Sequence, residues 1–115
     1  MAHLPHIKEA VIPQNKIENY LLNPEHPIGS GKAKFFAHFG FRRENWQVLA
    51  DALRKHAQEN PVANSTSDVD GVVYVVEGPL EAPLGRRPRL RTVWLAETGG
   101  LAPRFISAYP IRDDR

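Results

Sequence analysis

The sequence contains no cysteine, and this absence removes several kinds of chemistry at once. Disulfide bonds, thiolate nucleophiles and cysteine-ligated zinc sites all require the thiol group. A structural zinc site would have to be built from the five histidines and the carboxylates alone. We therefore predict that the protein uses neither a metal ion nor a cofactor.

Long apolar runs are also missing. No segment approaches the roughly 20 apolar residues that a membrane-crossing helix needs. The start "MAHLPHIKEAV" lacks the basic residues and the apolar stretch of a signal peptide. These two absences predict a cytoplasmic protein that makes no membrane contact.

Neither charge is in large excess, because the formal net charge is only +2. The chain as a whole therefore attracts a polyanion weakly. Basic residues do cluster in "GRRPRLR", which holds Arg86, Arg87, Arg89 and Arg91. Such a density is able to bind the phosphates of RNA, but it is also common where a strand begins in solvent.

The residues that are present describe one small folded domain. The chain has 115 residues, of which 42% are hydrophobic and 24% charged, close to a globular average. We predict an irregular lead-in over residues 1–13, one domain over 14–110 and a C-terminal tail over 111–115. The sequence does not indicate an oligomeric state.

Hydrophobic spacing divides this domain into helices followed by strands. Apolar residues at helical intervals predict helices over about 14–22, 32–39 and 44–59. From residue 62 the period changes to two, and "VVYVVEG", "RLRTVWLAE" and "RFISAYP" read as strands, with a further strand within 62–68. The prediction is an α+β fold in which three N-terminal helices pack on one face of a three- to four-stranded antiparallel sheet.

Alternation along the strands sorts their side chains into two sets. We predict that the set packed under the helices is Val73, Val75, Val93, Leu95, Ile106 and Ala108. The set on the opposite face is then Tyr74, Thr92, Trp94, Phe105, Ser107 and Tyr109. Aromatic and hydroxyl groups together suit the stacking of RNA bases, with Tyr74 and Trp94 as candidates. The alternative is that these aromatics are buried under a loop or a partner.

A histidine between two prolines is the first candidate for acid-base chemistry. His26 lies between Pro24 and Pro27, which restrict the loop, and imidazole titrates near neutral pH. Lys32 follows a Gly-Ser-Gly turn at a predicted helix start, where anions are favoured. "GSGKAK" is nevertheless not a nucleotide-binding P-loop, because the glycine spacing is wrong and Ala33 stands at the position of the Ser or Thr.

The last two strands supply further candidates. RNA cleavage without a metal needs a base, an acid and cations at the phosphate. On a regular strand Arg104 points away from Ser107 and Tyr109, so these three converge only if a bulge or a twist intervenes. The residues able to fill the catalytic roles are His26, Lys32, Arg91, Arg104, Ser107 and Tyr109.

Two blocks of sequence carry a family resemblance. "YLLNPEHPIGSGKAKFFAHFGF" and the later "RTVWLAETGGLAPRFISAYP" resemble a bacterial domain family of unknown function, with the blocks "LLNPxHPxGxxKAxFF" and "RTVW…PR…AYP". Members of that family look like stand-alone proteins and like C-terminal domains of polymorphic toxins. The layout and the closing "SAYP" are also similar to the barnase, EndoU, colicin and RelE group of metal-independent RNases.

The resemblance implies two functions that the residues leave open. The first is a toxin-type metal-independent endoribonuclease, or a descendant of one, with RNA as substrate and the six residues above in its catalytic site. The second is a non-enzymatic protein-binding module of a toxin/antitoxin or toxin/immunity pair, with a cognate antitoxin or immunity protein as partner.

Overall fold

The computed structural model describes residues 2–100 and 102–111. Three helices precede four strands, as predicted. The helices are α1 (Gln14–Lys16), which continues as a π-helical turn (Ile17–Leu21), α2 (Ser30–His38) and α3 (Trp46–Glu59). The strands are β1 (Val62–Asp68), β2 (Gly71–Pro79), β3 (Arg89–Glu97) and β4 (Arg104–Pro110). Short 3-10 turns at Ile7–Glu9 and Arg43–Asn45 complete the regular structure of the described residues.

The four strands form one antiparallel sheet in the order β1-β2-β3-β4. The predicted lead-in contributes to this sheet, because Val11 forms a parallel bridge beside Arg104 at the outer edge of β4. The Val11 N–H donates to the Pro103 carbonyl over 2.9 Å, and the Phe105 N–H donates to the Val11 carbonyl over 2.8 Å. Of the predicted tail, only Ile111 lies within the described residues.

None of the helices in the described ranges is long and apolar enough to pass through a membrane.

Strand β4 contains a bulge. Ser107 pairs with Val93, whereas the next residue of β3, Trp94, pairs with Phe105, so Ile106 is an extra residue without a partner of its own. A bulge of this kind shifts the alternation of side chains by one residue. The two ends of β4 therefore follow opposite parities.

The shifted parity brings three candidate residues to the same face of the sheet. Arg104, Ser107 and Tyr109 each stand opposite a residue of β3, and these three residues of β3 alternate, so they share a face. The partners on β3 are Leu95, Val93 and Arg91, in that order. The sequence analysis required a bulge or a twist for these three residues to share a face, and the bulge is observed.

The assignment of the two sheet faces from sequence was wrong. Trp94, Thr92 and Phe105 are completely buried under the helices, and the Trp94 and Phe105 rings meet edge to face with their centroids 5.4 Å apart. Trp94 is therefore not available to stack on an RNA base, and Tyr74 is partly buried against the same core. The larger side chains occupy the core because their burial removes more apolar surface from water.

The opposite face of the sheet carries the aliphatic set instead. Its members are only partly buried and do not belong to the core cluster, although the sequence predicted them to be core residues. They are Val73, Val75, Val93 and Leu95. Of the other two predicted core residues, Ala108 is buried as expected, whereas Ile106 is only partly buried and lies outside the core cluster.

A buried polar network joins α3 to the sheet. His56 is 2% exposed, and its Nε2 lies 3.1 Å from the Gly78 carbonyl oxygen and 3.0 Å from that of Leu90. Because both neighbours are acceptors, Nε2 carries the proton and Nδ1 accepts from the Thr92 hydroxyl over 3.2 Å. The Trp94 indole N–H in turn donates to Thr92 Oγ1 over 2.9 Å. The polar atoms that Thr92 and Trp94 bring into the core are thus satisfied.

This network predicts that the protein loses stability in mild acid. Burial lowers the pKa of His56 below the ordinary 6.5, and the carbonyls of Gly78 and Leu90 offset only part of that effect. As the pH falls below about 6.5, the unfolded chain binds this proton before the folded chain does. We expect the free energy of unfolding to keep its full value at pH values above about 6.5. At lower pH it should decrease, by at most about 1.4 kcal/mol per pH unit.

Denaturant unfolding at a series of pH values between about 7.5 and 5.5 measures this loss. The variant His56→Gln should start from a lower stability and show a weaker dependence on pH. The matched control is His38→Gln, because His38 is exposed and should leave the wild-type slope unchanged. A wild-type stability that is constant over this pH range would contradict the assignment.

Candidate functional site

A groove of about 480 Å³ lies between α1, the proline loop and β4. The helical and strand walls are joined where the Lys16 ammonium group, at the end of α1, donates to the Ile106 carbonyl of β4. The residues lining the groove are Asn15, Lys16, Asn19, Tyr20, His26, Ile28, Ile106, Ser107 and Tyr109.

Lys32 reaches this groove from the first turn of α2. Its ammonium group donates to the Tyr20 hydroxyl over 2.5 Å and to Ser107 Oγ over 3.1 Å. The same nitrogen lies 3.9 Å from the centre of the Tyr109 ring and 4.8 Å from that of Tyr20, both within cation–π range. Two hydrogen bonds and two rings therefore hold one positive charge in place between α1 and β4.

The contacts of Lys32 lower the pKa of the Tyr20 phenol. Partial burial acts to raise the pKa of its phenol, but hydrogen bonds from Lys32 and Ser107 and the charges of Lys32 and Lys16 outweigh it. The net pKa lies below the ordinary 10.0. A phenolate beside a fixed ammonium group is able to accept a proton from a substrate hydroxyl.

One ring nitrogen of His26 is occupied by hydrogen bonds from the backbone. Its Nδ1 accepts hydrogen bonds from the backbone N–H groups of Ile28 and Gly29, over 3.0 and 2.9 Å. The proton of the neutral ring is consequently on Nε2, which has no hydrogen-bond partner within residues 2–100 and 102–111 and is able to donate to a ligand. Protonation of Nδ1 would break both bonds, so this geometry suits His26 to hydrogen-bond donation better than to proton transfer.

The proline loop also fixes Tyr20. The rings of His26 and Tyr20 meet edge to face with their centroids 5.0 Å apart. A Cβ atom added at Gly29 would lie 2.6 Å from the Tyr20 carbonyl oxygen and 2.8 Å from its ring. Glycine at this position therefore permits the close approach that brings Tyr20 to Lys32.

Lys16 adds a second positive charge at the strand wall. Its ammonium group donates to the Ile106 carbonyl over 2.7 Å, at the bulge of β4. The groove thus has two lysines and two phenols within a small volume, an arrangement that favours an anion with a nearby ionisable hydroxyl.

The comparison with known sequences identifies the family. A model described as "Domain of unknown function (DUF6883)" matches residues 3–112. The chain belongs to the DUF6883 family. This result agrees with the predicted membership of a domain family of unknown function. No curated protein matches the DUF6883 chain.

A solved structure shares the fold of this DUF6883 domain. It is described as a contact-dependent growth inhibition toxin–immunity protein complex from Klebsiella pneumoniae 342. The matching chain superposes with a TM-score of 0.73, over 94% of the DUF6883 chain and 98% of the other chain. The two sequences are 16% identical, so the match is one of fold.

Three of the six predicted catalytic residues of the DUF6883 domain line the groove, namely His26, Ser107 and Tyr109, and Lys32 contacts Ser107 and Tyr109 at its wall. The two arginines do not line it. Arg91 donates from Nε to Glu77 over 2.6 Å, although it stands directly opposite Tyr109 in the sheet. Arg104 is exposed, with Nε 3.9 Å from a carboxylate oxygen of Glu97.

The basic "GRRPRLR" segment lies in the connection between β2 and β3 and at the start of β3. At the end of α2, Cζ of Arg86 lies 5.0 Å from the centre of the Phe39 ring, and Nη1 of Arg86 lies 3.4 Å from Nε2 of His38. Arg87 and Arg89 are exposed. None of the three lines the groove.

Sequence reasoning missed Tyr20 and Lys16 as site residues. Tyr20 follows Ile17 at helical spacing, which is typical of an apolar helix face, and Lys16 lies on the same short helix without a distinguishing motif. The sequence feature that could have indicated Tyr20 is its position: a phenol on an apolar helix face, shortly before the restricted loop between Pro24 and Pro27.

Among the residues that the structure describes, no three His, Asp or Glu side chains group closely enough to hold a metal ion.

Proposed function

We propose that this groove cleaves RNA by metal-independent transesterification. The observation that carries the proposal is the contact between Tyr20 and Lys32, which joins a phenol of lowered pKa to an ammonium group over 2.5 Å. RNA provides both groups that such a pair would handle, a 2′-hydroxyl to deprotonate and an adjacent phosphate to stabilise.

The proposed reaction moves one proton through the pair. The Tyr20 phenolate takes the proton of the 2′-hydroxyl, and the 2′-oxygen attacks phosphorus. The bond from phosphorus to the 5′-oxygen breaks, and the Lys32 ammonium donates a proton to that leaving oxygen. The Tyr20 hydroxyl then returns its proton to the Lys32 amine along their hydrogen bond, which restores the starting state. The products are a 2′,3′-cyclic phosphate and a 5′-hydroxyl.

Neighbouring residues orient the pair and the phosphate. Ser107 and Tyr109 hold Lys32 in position, and the free Nε2–H of His26 is proposed to donate to a phosphate oxygen. Lys16 supplies further positive charge. Phosphates farther along the strand are proposed to meet the exposed arginines Arg86, Arg87, Arg89, Arg91 and Arg104. The cytoplasm, where RNA is present, is the proposed site of action.

The deciding experiment compares two lysine variants on total RNA in the presence of EDTA. Lys32→Met removes the groove cation and should slow cleavage by about 10²-fold, as expected when a charge that stabilises the transition state is lost. Lys34→Met is the matched control, because Lys34 is exposed two residues along the same helix and does not line the groove. Equal rates for the two variants, or no cleavage by the wild type, would refute the proposal.

The second candidate is a non-enzymatic protein-binding module of a toxin/antitoxin or toxin/immunity pair. It is favoured by the shared fold with a chain of a toxin–immunity complex. A wild-type protein that leaves RNA intact under these conditions would make this the leading function.

A further inference from the structure

A second cavity lies on the other side of α2. It has a volume of about 420 Å³, and the residues of α2 that line it are Ala33, Lys34 and Ala37. In a helix with 3.6 residues per turn, these three residues project from the side of α2 opposite to Lys32. The body of α2 therefore separates the cavity from the groove. The remaining lining residues are Leu22, Pro24, Phe41, Arg42, Arg43 and Glu44.

The floor of the cavity is apolar and its rim is basic. Leu22, Ala33 and Phe41 are buried at the floor, where their side chains are 5%, 4% and 2% exposed. The rim carries the exposed side chains of Lys34, Arg42 and Arg43 against the single carboxylate of Glu44.

These rim cations are not neutralised by the protein itself. Within residues 2–100 and 102–111, none of the three forms an ion pair with a carboxylate. Arg43 donates a hydrogen bond to the uncharged Asn19 Oδ1 over 2.7 Å, which leaves its positive charge unpaired with a carboxylate among the described residues. The rim therefore keeps its positive charge, which favours negatively charged groups beside an apolar group that binds at the floor.

We propose that this cavity, independently of the groove, binds a segment of a partner protein in which a bulky aliphatic side chain is flanked by acidic residues. The aliphatic group fills the floor, and the carboxylates meet the cations. The cations stand on two elements, α2 and the turn before α3, so they reach a chain that runs across the mouth. RNA fits less well, because the one aromatic lining residue, Phe41, is too buried to offer a stacking face.

Peptide titration of the isotope-labelled full chain tests the proposal. The probe is a short synthetic peptide with one leucine between pairs of glutamates, and NMR amide shifts report its position. We expect saturable shifts at Ala33, Ala37 and Phe41, with a dissociation constant of about 1 mM or tighter. A peptide with glycine in place of leucine, and one with lysines in place of glutamates, should bind at least about fivefold more weakly.

Variants of the chain locate the binding. Arg42→Glu should weaken binding by about fivefold or more, whereas Lys8→Glu, an equal charge change at an exposed site outside the cavity, should not. Ala37→Trp fills the cavity and should abolish the shifts. Absence of saturable shifts, equal binding of the glycine peptide, shifts confined to the Tyr20 groove, or displacement of the peptide by a short oligonucleotide would each overturn the proposal.

The outcome is separable from that of the proposed RNase. Ala37→Trp should cleave RNA at the wild-type rate, because Ala37 does not line the groove. Loss of peptide binding therefore bears on the cavity alone, and loss of cleavage in Lys32→Met bears on the groove alone.

Discussion

Tyr20→Phe is expected to lower the rate of RNA cleavage by about 10³-fold, within the range usual for removal of a general base. The substitution deletes one oxygen atom and leaves the ring that packs against His26. Lys32 keeps its hydrogen bond to Ser107 and its position over the Tyr109 ring. The variant should therefore fold normally and bind RNA, so that the loss appears in the rate of the chemical step.

Single-turnover cleavage assays measure this loss, with circular dichroism as the check on folding. Tyr74→Phe is the matched control, since Tyr74 lies in the sheet away from the groove and should cleave at the wild-type rate. A Tyr20→Phe enzyme within a fewfold of the wild type would exclude the phenol as the base.

The pH dependence of cleavage gives an independent signature of the same pair. A base must be deprotonated, so the rate should rise with pH up to the pKa of Tyr20, which lies below 10.0 because hydrogen bonds and charge from Lys32 outweigh the effect of burial. Lys32→Met removes that stabilisation, and its residual activity should rise only at higher pH. If the pH–rate profiles of the wild type and of Lys32→Met rise at the same pH, the base is a residue other than Tyr20.

Trp94→Ala is expected to remove a large part of the stability of the fold. The side chain is completely buried against Phe105, and its indole N–H satisfies Thr92 Oγ1. Truncation of a buried tryptophan costs about 3–5 kcal/mol, from a total of about 5–15 kcal/mol for a domain. The melting temperature should fall by roughly 15–20 °C.

Trp46→Ala is the control, because Trp46 is the other tryptophan and is only partly buried at the start of α3. It should cost about 1–2 kcal/mol, in proportion to the smaller area that it buries. Both values come from thermal or denaturant unfolding. Equal losses in the two variants would mean that Trp94 does not lie on the covered face of the sheet.

The order and type of the elements were predictable from sequence, because each depends on local spacing. The helix predicted over 44–59 is observed as Trp46–Glu59 after a 3-10 turn, and a fourth strand forms at Val62–Asp68. The second helix starts earlier than predicted, at Ser30, because Gly29 already adopts helical angles at its N-cap. Such end effects depend on a few backbone angles that composition does not determine.

The faces of the sheet were not predictable from alternation alone. Alternation shows that Trp94 and Thr92 share a face, but it does not show which face the helices cover. The covered face is identified only by contacts with distant segments, such as that of Thr92 with His56, 36 residues away in sequence. A hydroxyl that seemed suited to solvent is buried because a distant imidazole satisfies it.

The candidate site was predicted in part for a similar reason. His26 and Lys32 stood out through the proline loop and the turn before α2, which are local features. The role of Tyr20 depends on Lys32, and that of Ser107 depends on the bulge at Ile106, neither of which the spacing of residues reveals. Contacts between distant segments, rather than local patterns, assemble this groove.

The distance along the chain between the groove walls has a consequence for synthesis. Lys32 and Ser107 are 75 residues apart, and Lys16 and Ile106 are 90 apart. At ordinary rates of translation, about 5–20 residues per second, roughly 4–15 seconds separate the first pair. A nascent chain that has not yet reached β4 has no groove. If the groove cleaves RNA as proposed, the protein would stay inactive beside the ribosomal RNA until its last strand had been made.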